Sequence, residues 1–525
     1  MKRGPMGSSP PMDDRDSGYA GLLSFTASLF SLGTGLVFSV MIARRLPLYE
    51  YGIWQYYTAV MTFIALPGAM VDFWMTRSLA RGKGVLNTGL LMTGLLSAIS
   101  NLLLIAISIL SGPAVSISIE ILLAFVLYLL LLYFSNALDS ASVAIRPSLV
   151  GVGRLVLELV KVSLGVALVV WLRMGLLGAL VAIDLALFSK CLMMYSGMGR
   201  ATKEAPNLSL GLTWLERWRI PALGIIPSLL GSADLLILAW FTGSAVPTAY
   251  LGVARTVSAI ISFSSLLAIS LYPRLLGGGK EELIEKSVTT VSMLALPMAG
   301  GLIVLASPVL YVFGPSYAPA ALSLQLLSLV TLIGVFRDLS IAILQGMERA
   351  DVDEDASAPE LMRSNLTTPR YIEIIAQGIN IAISLAIVWY LTAQGAPYDL
   401  LVTTLSVTSL ITSIPLFLTL VRLSKKVHPY VIPWAGIAKQ VVATAAMMSV
   451  VFLFYPVRAI SVNITEVLAN LLPVVALGAI VYFVVLLTID RKARAELRGL
   501  YRSIRSWRSK GPGQTDRNSL ISTAP

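Results

Sequence analysis

Apolar stretches of about 20 residues recur along this chain, one after another, and that is the length a helix needs to cross the hydrocarbon core of a bilayer. Fourteen such stretches are present, over 20–43, 53–75, 85–110, 117–138, 150–172, 174–196, 219–242, 247–272, 288–313, 319–346, 371–393, 398–421, 432–455 and 464–488. They are numbered here as spans 1 to 14. Composition agrees, because only 13% of the 525 residues are charged and 56% are hydrophobic. A soluble chain carries roughly 25% charged residues, so this one cannot clothe a water-facing surface, and it is far too apolar for disorder. The expected fold class is an all-α polytopic membrane protein with 14 transmembrane helices. The first span is too long for a signal peptide and lacks a small-residue cleavage site.

Lys and Arg set the orientation. With both termini cytoplasmic, 30 of the 39 basic residues fall in cytoplasmic segments. Four fall in external ones: Arg44, Arg45, Arg173 and Arg458. An even number of spans is needed to keep that asymmetry. Nine of the 30 follow Asp490, where Leu497, Leu500, Tyr501, Ile504 and Trp507 recur at helical spacing among arginines. This predicts an amphipathic helix over 490–510 lying on the anionic inner leaflet. Basic tails also bind nucleic acid, but beside a last membrane span the lipid surface is the expected partner. Residues 1–16 and 511–525 are expected to be disordered.

The loops exclude several functions. External connections such as 44–52, 243–246 and 314–318 are too short to house a catalytic domain. One cysteine, Cys191, and one histidine, His428, leave no set of ligands for zinc or haem. No Walker A pattern is present, so no ATPase is carried on this chain. No cofactor is expected. Gly277-Gly278-Gly279 reads as a flexible loop, and Lys280 to Lys286 as a short interfacial helix. The acidic cluster Asp351, Asp353, Glu354 and Asp355 is either a solvated loop or a divalent-cation site, and it lacks EF-hand spacing.

The chain reads as a duplication. Spans 1–6 and spans 7–12 form two halves of one orientation, a parallel repeat about an axis along the membrane normal. Tyr51-Gly52 opens span 2, and Ala249-Tyr250-Leu251-Gly252 opens span 8. The domain organisation is then a cytoplasmic N-tail (1–19), an N-lobe (20–196), a cytoplasmic linker (197–218) and a C-lobe (219–422). Two further spans (432–488) and a basic cytoplasmic tail (489–525) follow.

Gly33-Thr34-Gly35, Ala43-Arg44, Glu50-Tyr51-Gly52, Asp72 and Arg77, in that order, resemble the opening of the polysaccharide-transport family. These are lipid-linked oligosaccharide flippases of the multidrug/oligosaccharidyl-lipid/polysaccharide exporter superfamily. Similar matches continue with Asp234, Ala249 to Ala254, Tyr272-Pro273, Phe313-Gly314-Pro315-Ser316-Tyr317, Ile343 to Arg349 and Asn380, so the resemblance covers residues 20–425. It implies two six-helix lobes that rock against each other, exporting a polyprenyl-linked glycan to the outer leaflet. Spans 13 and 14 resemble the extra helices of lipid II flippases. A cation-coupled drug or metabolite antiporter of the same superfamily is the alternative; such relatives often carry an acidic residue in span 1, and none stands between Gly18 and Ala43. A membrane enzyme is a third, weaker alternative, so the chain is read as a transporter.

Ionisable groups at membrane depth are functional candidates. Arg255 in span 8 and Arg337 in span 10 suit the two negative charges of a lipid-linked diphosphate, because guanidinium grips phosphate oxygens in a bidentate manner. Their alternative is a structural ion pair or snorkelling. Asp338 lies about 100° round the helix from Arg337, so it is expected to pair elsewhere. Asp72, Arg77 and Asp234 are candidates for the cavity or for a gate between lobes, or else are caps and buried pairs. Asp139 and Asn136, with Ser135, Ser140 and Ser142, form a polar patch suited to sugar hydroxyls or to helix–helix hydrogen bonds. Asp139 and Asp184 are either sites for a coupling proton or Na⁺ or interfacial residues. Glu158 and Lys161 stand at i,i+3 and are expected to satisfy each other. Outward movement of an anion is favoured by about 2.3 kcal/mol per charge per 100 mV, so export without ATP is energetically reasonable.

Overall fold

A computed structural model describes residues 30–490, apart from 32, 112–114, 200–204, 269–270, 272–274, 276–280, 347–363, 366 and 455–462, and also describes Arg494. Described residues are helical almost throughout, with no strand among them. Among the described residues ten helices are long and apolar enough to cross a membrane, and two bent pairs raise that to as many as twelve. The two expected spans outside this set are the first and the fifth. Span 1 lies partly outside the described residues, which show its helix over 33–45. Span 5 is the helix Ser148–Gly165, continued as a π-helix over Val166–Trp171, and it carries Arg154, Glu158 and Lys161 within its apolar run.

The bends have local causes. Span 2 is two helices, Leu48–Ile64 and Leu66–Ala80, set at 51°. Pro67 sits at the start of the second, where its missing N–H cannot continue the ladder of the first. Span 7 divides into Arg219–Leu230 and Ala233–Thr242, with Pro227 inside the first and Gly231-Ser232 at the joint. The bent pair makes an angle of 42°. Span 8 begins as the α-helix Val246–Ser258 and tightens to a 3₁₀-helix over Ala259–Ala268. Residues 281–286 begin the helix Glu281–Val304 and are therefore continuous with span 9. The separate interfacial helix expected at Lys280 to Lys286 is corrected accordingly.

Outward-facing apolar side chains such as Leu102, Ile109, Trp171, Trp389 and Phe452 are widely exposed, as a surface solvated by lipid requires. Spans 13 and 14 are Trp434–Phe454 and Ile464–Ile489. They pack together and against Glu281–Val304, where Tyr482 Oη donates to the Met293 carbonyl at 2.7 Å and Gln440 Nε2 to that of Thr289 at 3.1 Å. Of the basic tail, Ile489, Asp490 and Arg494 are described. Lys439 Nζ reaches Asp490 at 3.4 Å, and Arg494 donates to the Leu487 and Thr488 carbonyls at the end of the last helix. The rest of the tail, the N-terminal 29 residues, the acidic cluster at 351–355, Tyr272-Pro273 and Gly277 to Gly279 lie outside the described residues.

A seam joins the two helix sets at the end that carries Arg44. Leu48–Ile64 packs on Val246–Ser258 around Gly52 and Gly252. Thr248 Oγ1 donates to the Gly52 carbonyl at 2.9 Å. A Cβ on Gly52 would stand 1.8 Å from the Ala245 carbonyl oxygen, and one on Gly252 would meet the Gln55 side chain at 2.4 Å. Arg44 Nε and Nη2 donate to the Val312 and Tyr311 carbonyls, each at 2.8 Å. Tyr317 stacks edge-on against Tyr51, with centroids 5.6 Å apart, and donates to the Ala43 carbonyl at 3.3 Å.

Candidate functional site

Two adjoining cavities, of about 410 and 520 Å³, lie among spans 7, 8, 10, 11 and 12 and share Ser228, Gly231, Arg337 and Gln377. The first brings Asp234 and Arg255 together. Their side chains meet at 2.6 Å, with Asp234 buried and Arg255 partly exposed. Asp234 stands in the first turn of Ala233–Thr242, immediately after the Gly231-Ser232 joint, so the break in span 7 places it at the cavity. Ser258, Ser262, Thr331, Asn380, Ser409 and Thr412 complete a hydroxyl- and amide-rich wall.

The second cavity holds a four-membered ionic cluster. Arg337 Nε and Nη2 contact Asp338 Oδ1 at 2.9 and 2.8 Å. Arg337 Nε also lies 3.4 Å from Glu373 Oε1, while Arg370 Nη1 takes Glu373 Oε2 at 2.8 Å. The expectation that Asp338 pairs elsewhere is therefore wrong. A guanidinium on a long flexible stem reaches round the helix to its sequence neighbour, so an offset of about 100° between Cα positions does not separate the charged heads. Arg255 and Arg337 thus line the cavity and are ion-paired at the same time, which unites the two alternatives raised for them. Across both cavities three guanidinium groups face three carboxylates.

A third cavity, of about 510 Å³, gathers Asp72, Arg77, Asn136 and Asp139 with Phe73, Thr76 and Ser140. It lies between Leu66–Ala80 and Ile119–Ile145. Arg77 sits over the Phe73 ring, 4.3 Å from its centroid. Asp139 Oδ2 accepts from Lys190 Nζ at 2.6 Å, and Lys190 also donates to Ser135 Oγ at 2.9 Å. Asp72 Oδ1 is buried without a hydrogen-bond partner among the described residues. Arg219–Leu230 touches Leu66–Ala80 and Thr368–Ala393, so the first half of span 7 lies between this cavity and the ionic cluster.

Two further charged groups fall elsewhere. Glu158 takes Lys161 at 2.8 Å, as its spacing requires, and also accepts from Ser31 Oγ at 2.9 Å and Thr34 Oγ1 at 2.7 Å. It therefore ties span 1 to span 5. Asp184 is buried in the middle of Gly175–Gly197, and neither carboxylate oxygen has a partner among the described residues. Sequence reasoning missed Arg370, Glu373, Gln377 and Lys190. Arg370 and Glu373 carry the same i,i+3 signal as Glu158 and Lys161, but Arg370 reads as an orientation charge at the start of a span.

Comparison with solved structures places this architecture. The chain superposes on a lipid II flippase MurJ in an inward closed conformation with a TM-score of 0.63 and 15% identity, over 90% of this chain and 99% of that one. The fold is that of the multidrug/oligosaccharidyl-lipid/polysaccharide exporters. An inward-facing multidrug resistance MATE family transporter of the MOP superfamily gives a TM-score of 0.56 at 13% identity, over 75% of this chain and 94% of that one. A MATE structure in complex with MaL6 gives 0.51 at 14% identity, over 78% and 96% of the two chains. No protein-family model and no curated protein sequence matches the chain.

Proposed function

We propose that the protein is a flippase that moves a lipid-linked oligosaccharide from the inner to the outer leaflet of the cell membrane by alternating access. The observation that carries this reading is the pair of adjoining cavities holding Arg255, Arg337 and Arg370 among hydroxyls and amides. Guanidinium groups suit the phosphates of the carrier lipid, and the hydroxyl- and amide-rich wall suits sugar. Asp234 positions Arg255. Asp72, Arg77, Asn136 and Asp139 supply a second polar surface for the glycan.

In this reading both termini are cytoplasmic, the N-lobe (20–196) and C-lobe (219–422) rock about the Gly52–Ala245 seam, and the cavities face inward while the seam is closed. The 490–510 segment rests on the anionic inner leaflet. The chain acts as a carrier and not as an enzyme, with neither nucleic acid nor cofactor involved, and the membrane potential favours outward movement of the anionic headgroup.

The test is reconstitution into liposomes with a fluorescent lipid-linked oligosaccharide and quenching from outside. The Arg255→Ala/Arg337→Ala double variant is expected to insert normally and to lose translocation. Full translocation by that variant refutes the assignment.

A second reading is a cation-coupled drug or metabolite antiporter. It is favoured by the buried carboxylate oxygens of Asp72 and Asp184 that have no partner among the described residues, which suits a coupling proton or Na⁺. Ethidium efflux driven by an imposed pH or Na⁺ gradient, without glycolipid movement, supports it over the first.

A further inference from the structure

Span 2 breaks at a point where one backbone carbonyl has two competing sets of donors. In an unbroken helix the Ile64 carbonyl would accept from the Gly68 N–H, four residues on. Gly68 N donates instead to the Ala65 carbonyl at 3.1 Å. The Ile64 carbonyl accepts from Ser100 Oγ of the helix Leu86–Leu110 at 2.8 Å, and from Tyr133 Oη of Ile119–Ile145 at 2.9 Å. The two hydroxyl oxygens are themselves 2.7 Å apart, and both side chains are buried. Each hydroxyl has one proton. Two protons serve three contacts, so every arrangement delivers at least one of them to Ile64. The Tyr133 ring lies against Gly68, where an added Cβ would stand 2.5 Å from Cε1. Glycine at this position lets the ring come close enough for its hydroxyl to reach the joint.

We infer that Ser100 and Tyr133 form a latch that holds span 2 bent, with the Ile64 carbonyl as the switch between two settings of that span. In the bent setting the hydroxyls hold the carbonyl. In the straighter one the carbonyl returns to the Gly68 N–H, and the two hydroxyls keep each other. Neither setting leaves the buried Ile64 acceptor unmet. Pro67, which has no N–H to give, keeps some bend in both.

The geometry gives the latch something to move. The first half of the span, Leu48–Ile64, is fixed on Val246–Ser258 at the seam. The second half, Leu66–Ala80, carries Asp72, Phe73, Thr76 and Arg77 along the third cavity. A turn of about 10° at the joint moves the far end of that 15-residue helix by about 4 Å. Ser100 and Tyr133 do not line the cavity. They act through Asp72 and Arg77, and are positioning residues. The device is indifferent to what is carried, so it goes beyond both readings of the function and does not rest on either.

The experiment measures the bend directly. The full chain, in nanodiscs and a Cys191→Ser background, carries spin labels at Ala80→Cys and Ser196→Cys, both exposed positions. Both lie within 20–196, so rocking of one lobe against the other leaves their separation alone. Ser100→Ala and Tyr133→Phe each leave one hydroxyl on the carbonyl, and each is expected to keep the parent distance distribution. The double variant Ser100→Ala/Tyr133→Phe removes both while keeping the ring against Gly68. It is expected to add a population displaced by at least about 4 Å. An unchanged distribution in the double variant, with a lowered melting temperature, is what a merely structural bond gives, and it overturns the latch. Where the double variant yields no folded protein, Tyr133→Phe/Pro67→Ala takes its place, since it removes one hydroxyl and restores a helical N–H at position 67. The same displaced population is expected there, and unchanged distances overturn the latch equally.

Discussion

Replacing Gly52 by alanine is the sharpest probe of the seam. An added Cβ would sit 1.8 Å from the Ala245 carbonyl oxygen, where a C–H···O contact needs about 3.3 Å. The two backbones must part by about 1.5 Å, and neither is a flexible side-chain end. Overpacking of this kind costs about 1–3 kcal/mol, and separation also loses the Thr248–Gly52 bond, worth about 1 kcal/mol. The state with the seam closed is therefore raised by about 2–4 kcal/mol, and a closed-to-open equilibrium shifts by roughly thirtyfold to a thousandfold. Gly252→Ala is the natural control. The three atoms nearest its Cβ all belong to the Gln55 side chain, with Cγ and Cδ at 2.4 Å, and a rotamer change there moves them without parting the backbones, so little change is expected.

The assay is pulsed electron–electron distance measurement between labels at Arg45→Cys and Ser316→Cys, both exposed positions flanking the seam, in a Cys191→Ser background. Gly52→Ala is expected to move population from a short to a longer distance, and Gly252→Ala to leave the distribution as it is. A single short distance in Gly52→Ala, with an unchanged melting temperature, refutes the reasoning.

Two other clusters give stability predictions. Glu158→Ala leaves the mostly buried Lys161 without its partner and frees Ser31 and Thr34, so it is expected to destabilise the protein by about 3–5 kcal/mol; Glu158→Gln, which keeps one acceptor oxygen and turns the other into an NH2 donor that a hydroxyl oxygen can accept from, should lose less. Thermal unfolding in detergent compares the two, and equal losses would show that the hydroxyl contacts are immaterial. Lys190→Met leaves Asp139 without its cation and should cost less than the Glu158 change, because Asp139 is partly exposed, while the double variant Lys190→Met/Asp139→Leu recovers most of the loss. Lack of recovery in the double variant, read from the same unfolding curves, counts against the pair as the source of the loss.

Membrane crossing is legible in single apolar runs because each span must satisfy its own backbone and meet lipid with its own side chains. That is why 85–110, 174–196, 371–393 and 464–488 fall close to observed helices. The need for glycine at Tyr51-Gly52 is legible in hindsight only, because it comes from the close approach of the Ala245 backbone. What pairs across helices is not legible, since Lys190 and Asp139, or Arg337 and Glu373, leave no periodic trace. The joint in span 7 illustrates a middle case: Pro227 and Gly231 are visible in the sequence, but nothing in a continuous apolar run says that the chain bends by 42° and delivers Asp234 to a cavity. The partner of Asp338 is hidden for a different reason, because helical geometry describes where a side chain starts and not where a guanidinium ends.

Under the flippase reading, the pairing of Arg255, Arg337 and Arg370 in the adjoining cavities bears on how charge is kept at membrane depth. An unpaired guanidinium there is costly, and one permanently neutralised would be of little use to an anionic substrate. Among the described residues, Arg337 is held by one buried and one exposed carboxylate, whereas Arg255 is held by the buried Asp234. Exchange is therefore cheapest at Arg337, where the leaving carboxylate is already solvated, and dearest at Arg255, where Asp234 would be stranded. If an anion enters from the second cavity, it meets the exchangeable arginine first and the fixed pair beyond it. Under the flippase reading this ordering sets the headgroup phosphates at the ionic cluster and the sugars deeper, along the hydroxyl-lined wall between Ser258 and Thr412.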